Sequence, residues 1–75
     1  MTRKELERKI HRLEAELAAC EAEEARLIEK RREMSMRRAT ADAKMRNRLE
    51  LSAVIEKEND LRLKLWGLRQ LNLPG

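Results

Sequence analysis

Apolar residues recur every three to four positions in two separate stretches of the chain. The first stripe is Leu6, Ile10, Leu13, Leu17, Cys20 and Leu27, and the second is Leu51, Val54, Leu61, Leu65 and Leu68. Both follow a heptad pattern, with Leu6, Leu13, Cys20 and Leu27 at d, Ile10, Leu17 and Glu24 at a, then Leu51, Glu58 and Leu65 at a and Val54, Leu61 and Leu68 at d. Spacing of this kind predicts two amphipathic helices. Thr2 followed by Glu5 has the form of a capping box, so the first helix is expected to start almost at once.

The two stripes are one residue out of phase. Extending the first register places Arg31, Arg38 and Arg48 at core positions, and it misses Leu51 by one residue. On a straight helix that slip is a rotation of about 100°, so the stripes would face different ways. A break is therefore expected, and Ser35, Thr40 and Asp42 are the nearby residues with turn or capping chemistry. The predicted organisation is a single helical domain over 1–75, with helix 1 at about 3–34, a connection at about 35–42, helix 2 at about 43–67 and a tail at 68–75.

Laid antiparallel, the halves match. Layers whose residue numbers total 78 set Ile10 against Leu68, Leu13 against Leu65, Leu17 against Leu61 and Leu27 against Leu51. The flanks then bring Glu16 to Lys64, Glu23 to Lys57, Lys30 to Glu50, Glu7 to Arg69 and Glu14 to Arg62. Such pairs are worth about 0.2–1 kcal/mol each and select orientation more than they stabilise. The fold class expected is all-α: an antiparallel helical hairpin of coiled-coil type, dimerising into a four-helix bundle. Long continuous helices crossing in an antiparallel coiled-coil dimer satisfy the same layers and are the alternative. Ala15, Ala18, Ala19, Ala22 and Ala25, with Leu49, Ala53, Leu63 and Trp66 on the second helix, are the faces left for a neighbouring hairpin.

Composition bears on function mainly through charge. Charged residues are 43% of the 75 and aromatics 1%, and the net charge is +4. Residues 26–48 carry nine Lys or Arg against three Asp or Glu, whereas the segments on either side are acidic or balanced. In a hairpin this excess gathers at the tip. Arg31, Arg32, Arg37, Arg38, Lys44 and Arg46 are the candidate contacts to an anionic partner, joined by Trp66, Leu68, Leu71 and Leu73 as an apolar set toward the tail.

A basic segment leading into a leucine repeat is the order of a basic leucine zipper, but the Asn and paired Ala expected there are missing. No aromatic residue accompanies the arginines to stack on bases. His11 is alone, and the single Cys20 reads as a small seam hydrophobe, so no metal or cofactor is expected. Its layer mate is Glu58, an awkward neighbour for a core position.

No glycine loop, nucleophile with its base, signal peptide or membrane span is read from the chain. The expectation is a cytoplasmic, non-enzymatic interaction protein (adaptor, regulator or inhibitor) that self-associates as a dimer and binds another protein. A nucleic-acid-binding module using the Arg-rich middle is the second reading, and a structural piece of a larger assembly the third.

Overall fold

A computed structural model describes residues 1–71. Two helices, α1 (Arg3–Met36) and α2 (Ala41–Arg69), pack against each other as a helical hairpin about 58 Å long and 12–14 Å across. Each begins at a threonine. The Thr2 hydroxyl accepts from the Glu5 amide at 3.2 Å and the Thr40 hydroxyl accepts from the Ala43 amide at 3.1 Å, satisfying amides that no helical carbonyl can reach.

The chain reverses at Arg37 to Thr40, both of which have extended backbone (φ/ψ −96/152 and −69/157). That break excludes a helix running continuously through the middle. The link is shorter than the 35–42 segment read from turn-forming residues. Ser35 instead closes the last turn of α1 by donating to the Arg31 carbonyl at 3.1 Å, and Asp42 lies in the first turn of α2, where its negative charge complements the positive end of the helix dipole. At the other end, α2 continues through Gly67 to Arg69, so Leu68 belongs to a helix rather than to a tail.

The core is a single seam. Leu13, Cys20, Leu61 and Leu65 form its buried cluster, with Ile10, Leu17, Val54 and Leu68 packed on it half-buried. Leu6, Leu27 and Leu51 are buried as well. These are the a and d positions of the two stripes. Two polar side chains share the seam. Asn47 is 3% exposed and donates from Nδ2 to the Leu27 carbonyl at 3.1 Å, a bond across the helices. Glu58 is 1% exposed; its Oε2 accepts from Arg62 Nη2 at 3.1 Å, while its Oε1 has no partner among the described residues. Glu24, the other acid at a seam position, is only half-buried and reaches water.

The expected flank pairs are not formed. Arg62 turns to Glu58, Lys64 to Asp60 at 3.0 Å, Arg3 to Glu7 at 3.6 Å and Arg26 to Glu23, all on their own helices. Among the described residues one ion pair crosses the seam, Arg69 Nη2 to Glu14 Oε2 at 3.2 Å, a heptad away from either predicted mate. Partners three or four residues apart on one helix are already held together, whereas a cross-helix pair must also order two long side chains. The local pairs therefore win.

Candidate functional site

The strongest concentration of like charge lies at the closed end of the hairpin. Arg31, Arg37, Arg38, Lys44, Arg46 and Arg48 are exposed there, and none has a carboxylate within ion-pairing distance among the described residues. Arg32 is set apart, since it turns to Glu29 at 3.6 Å. The cause is compositional. Glu29, Glu33 and Asp42 are the only acids from residue 26 to 48, too few to neutralise nine cations.

Within this end the two helices enclose a recess of about 180 Å³. Its lining comes from both: Arg31, Met34 and Ser35 from α1, and Lys44, Asn47 and Arg48 from α2. At ~30 Å³ per water molecule this is space for roughly half a dozen waters. No acid lines it. Asn47 anchors the inner wall through its bond to the Leu27 carbonyl, and Met34 is half-buried beside it. The recess therefore has a fixed, nearly neutral floor and three cations at its rim.

Arg48, Ser35 and Asn47 were not among the candidate contact residues read from the sequence, although the signal for them was present. Arg31 with Asn47, and Met34 with Lys44, are also layers totalling 78. Continuing the leucine layers two steps past Leu27 and Leu51 leads straight to this recess.

The apolar candidates lie elsewhere. Leu68 packs on the seam cluster. Trp66 and Leu63 are 65% and 70% exposed near the open end, and Leu71 is exposed just beyond α2. Leu73 lies outside the described residues. Closed and open ends are separated by most of the molecule's 58 Å, so the arginines and Trp66 do not form one surface. Beside Leu63 runs a wider groove of about 680 Å³, lined by Lys9, Arg12, Leu13, Glu16, Leu63, Lys64, Gly67 and Leu68. A Cβ built on Gly67 would meet nothing within 4 Å, so the missing side chain leaves this groove open.

Among the described residues two ionisable groups have displaced titration. The side-chain hydrogen bond from Arg26 holds the Glu23 carboxyl below its ordinary range, and the same contact raises Arg26. Both lie on one face of α1, outside the cationic recess. Cys20 is a free thiol buried in the seam and His11 is exposed. No cluster of three His, Cys, Asp or Glu residues able to hold a metal is present among the described residues. Among those residues no helix is long and apolar enough to cross a membrane.

Comparison with protein-family models, with curated proteins and with solved structures finds no match to this chain. The functional reading rests on geometry and charge.

Proposed function

We propose that this protein is a non-enzymatic interaction module, an adaptor or regulator, that docks through its cationic closed end on an acidic surface of a partner protein. One observation carries the reading: six exposed Lys and Arg side chains at a tip 12–14 Å across have no acidic partner among the described residues. Like charges held together raise the free energy of the isolated hairpin, and an anionic partner surface relieves that cost while steering association. Arginine dominates the set, and its planar fork suits bidentate contact with carboxylates.

The hairpin is proposed to pair with a second copy through the outer side of α2, where Leu63 and Trp66 stand in water beside the groove at Gly67. Coiled-coil-type packing of two such hairpins gives a four-helix bundle with both cationic ends free or opposed. We place the protein in the cytoplasm, where a free buried Cys20 thiol meets no oxidising partner.

The docking test is capture from a lysate of the native cell on immobilised full chain, with and without nuclease. Proteins should be retained through nuclease treatment and lost with the double reversal Arg37→Glu, Arg38→Glu. Retention indifferent to that reversal refutes docking by the closed end. Material that disappears with nuclease assigns the same end to nucleic acid, the competing use of an arginine cluster. Sedimentation over a hundredfold concentration range tests pairing, which Trp66→Lys should abolish.

A further inference from the structure

We infer that the recess between α1 and α2 at the closed end is a binding site for a phosphate monoester dianion, the group carried by phosphoserine or phosphothreonine, on the partner protein. This rests on the docking reading above and names the chemistry the partner presents. Three features of the recess support it. Its rim bears Arg31, Lys44 and Arg48 and no acid, and none of the three is neutralised by another side chain among the described residues. Its wall is built rather than collapsed, because Asn47 is tied to the Leu27 carbonyl and the Ser35 hydroxyl to the Arg31 carbonyl. Its volume, about 180 Å³, suits one compact group and not a length of chain.

Charge and shape choose among anions. A carboxylate brings one negative charge to three cations, whereas a monoester brings nearly two and three acceptor oxygens. A phosphodiester carries one charge and two ester substituents, and both strands of backbone must leave the site. A recess closed on its inner side by Asn47 and Met34 favours a terminal group over a through-running one. Two guanidinium forks and an ammonium can meet the three oxygens with charge-assisted hydrogen bonds, the mode by which arginine clusters read phosphorylated motifs.

The test uses ¹⁵N-labelled full chain titrated with N-acetyl-phosphoserine amide, dimethyl phosphate and sodium chloride at matched ionic strength. The monoester should move the Asn47 side-chain amide and the Ser35 and Lys44 backbone amides saturably, and dimethyl phosphate should bind at least fivefold more weakly. Because the second phosphate pKa is about 6, monoester affinity should rise severalfold from pH 5 to 7.5. Arg48→Gln should weaken the monoester at least fivefold, and Ser35→Glu, which places a carboxylate among the same cations, should do the same while leaving the helical circular dichroism intact.

Shifts that do not saturate, equal response to the diester, or an unchanged affinity in Arg48→Gln each overturn the inference. An oligonucleotide without terminal phosphate that saturates the same signals more tightly than the monoester also overturns it, in favour of nucleic-acid backbone. Arg37 and Arg38 lie outside the recess lining, so their reversal reads docking alone. Partner capture that depends on Arg37 and Arg38, with no monoester preference at the recess, sinks this inference and leaves the docking reading standing.

Discussion

Replacing Glu58 by leucine should stabilise the hairpin. The side chain is 1% exposed, sits in the layer of Cys20, and leaves Oε1 without a donor among the described residues. A buried polar atom without a partner costs about 1–3 kcal/mol, and leucine removes that cost. Its apolar gain is smaller than a full side chain's, because the two Glu58 methylenes are already buried; the two further carbons of leucine are worth about 1.6 kcal/mol. Against this stands the pair with Arg62, whose guanidinium is half exposed, and exposure keeps such pairs to about 0–1 kcal/mol. The net expectation is a gain of about 2–4 kcal/mol. For a domain of this size each kcal/mol moves Tm by ~4–8 °C, so a rise of at least 4 °C is expected, measured by circular dichroism at 222 nm and fixed protein concentration. Urea denaturation should show a higher midpoint at unchanged slope, and Glu58→Gln should fall between the two proteins. A loss of stability in Glu58→Leu refutes the reasoning, since it would mean that the carboxylate makes a contact the seam depends on.

Other consequences of the same geometry are open to direct measurement. Asn47→Ala removes the hydrogen bond to Leu27 and leaves a gap at the closed end; a loss of about 1–3 kcal/mol is expected, with amide exchange accelerated more in residues 31–47 than near Leu13. Glu23 titrates below the ordinary glutamate value of 4.5 because of the hydrogen bond from Arg26, so its contribution is present above the unfolded pKa and fades as pH falls through the lowered folded value. Arg26→Gln should therefore return the Glu23 midpoint toward 4.5, followed by carboxyl carbon shifts; a midpoint that stays depressed would assign the shift to another source.

Much of the hairpin could be read from residue spacing, because burial follows a period the chain displays openly. Leu13, Leu61 and Leu65 occupy the seam that their spacing assigns them, and Thr2 caps α1 through the amide a capping box requires. Ion pairs were less legible. Arg62 and Lys64 each have acceptable partners both across the seam and one turn along their own helix, and charge pattern alone does not rank the two. Side-chain ordering ranks them, and it favours the nearer partner for Arg62, Lys64 and Arg26, whereas Arg69 has no acid within one turn on its own helix and crosses the seam to Glu14. The recess was missed for a different reason. Its cations were read as a segment of like charge, whereas the feature that gives them a common site is the layer arithmetic that also places the leucines.

That layer arithmetic has an energetic consequence at the closed end. Where most of the seam stacks one apolar side chain on another, the layers past Leu27 and Leu51 bring Arg31, Met34, Lys44 and Asn47 together, with Arg48 beside them. Three like charges around one recess repel. At an assumed separation of about 8 Å in water each pair costs roughly 0.5 kcal/mol, or about 1.5 kcal/mol for three. The Debye length falls from about 20 Å at 20 mM salt to 5–6 Å at 300 mM, which screens roughly half of that sum. Wild-type Tm should therefore rise by ~3–6 °C over this range of sodium chloride, even though the exposed Arg69–Glu14 pair weakens. Arg48→Gln deletes two of the three repulsions and should flatten most of the dependence, whereas Arg12→Gln near the open end should not. If Arg48→Gln keeps the wild-type slope, the repulsion does not reside in the recess. A phosphate monoester that fills the recess should raise Tm beyond sodium chloride at equal ionic strength, since specific binding adds RT ln(1 + [L]/Kd) to the screening common to both.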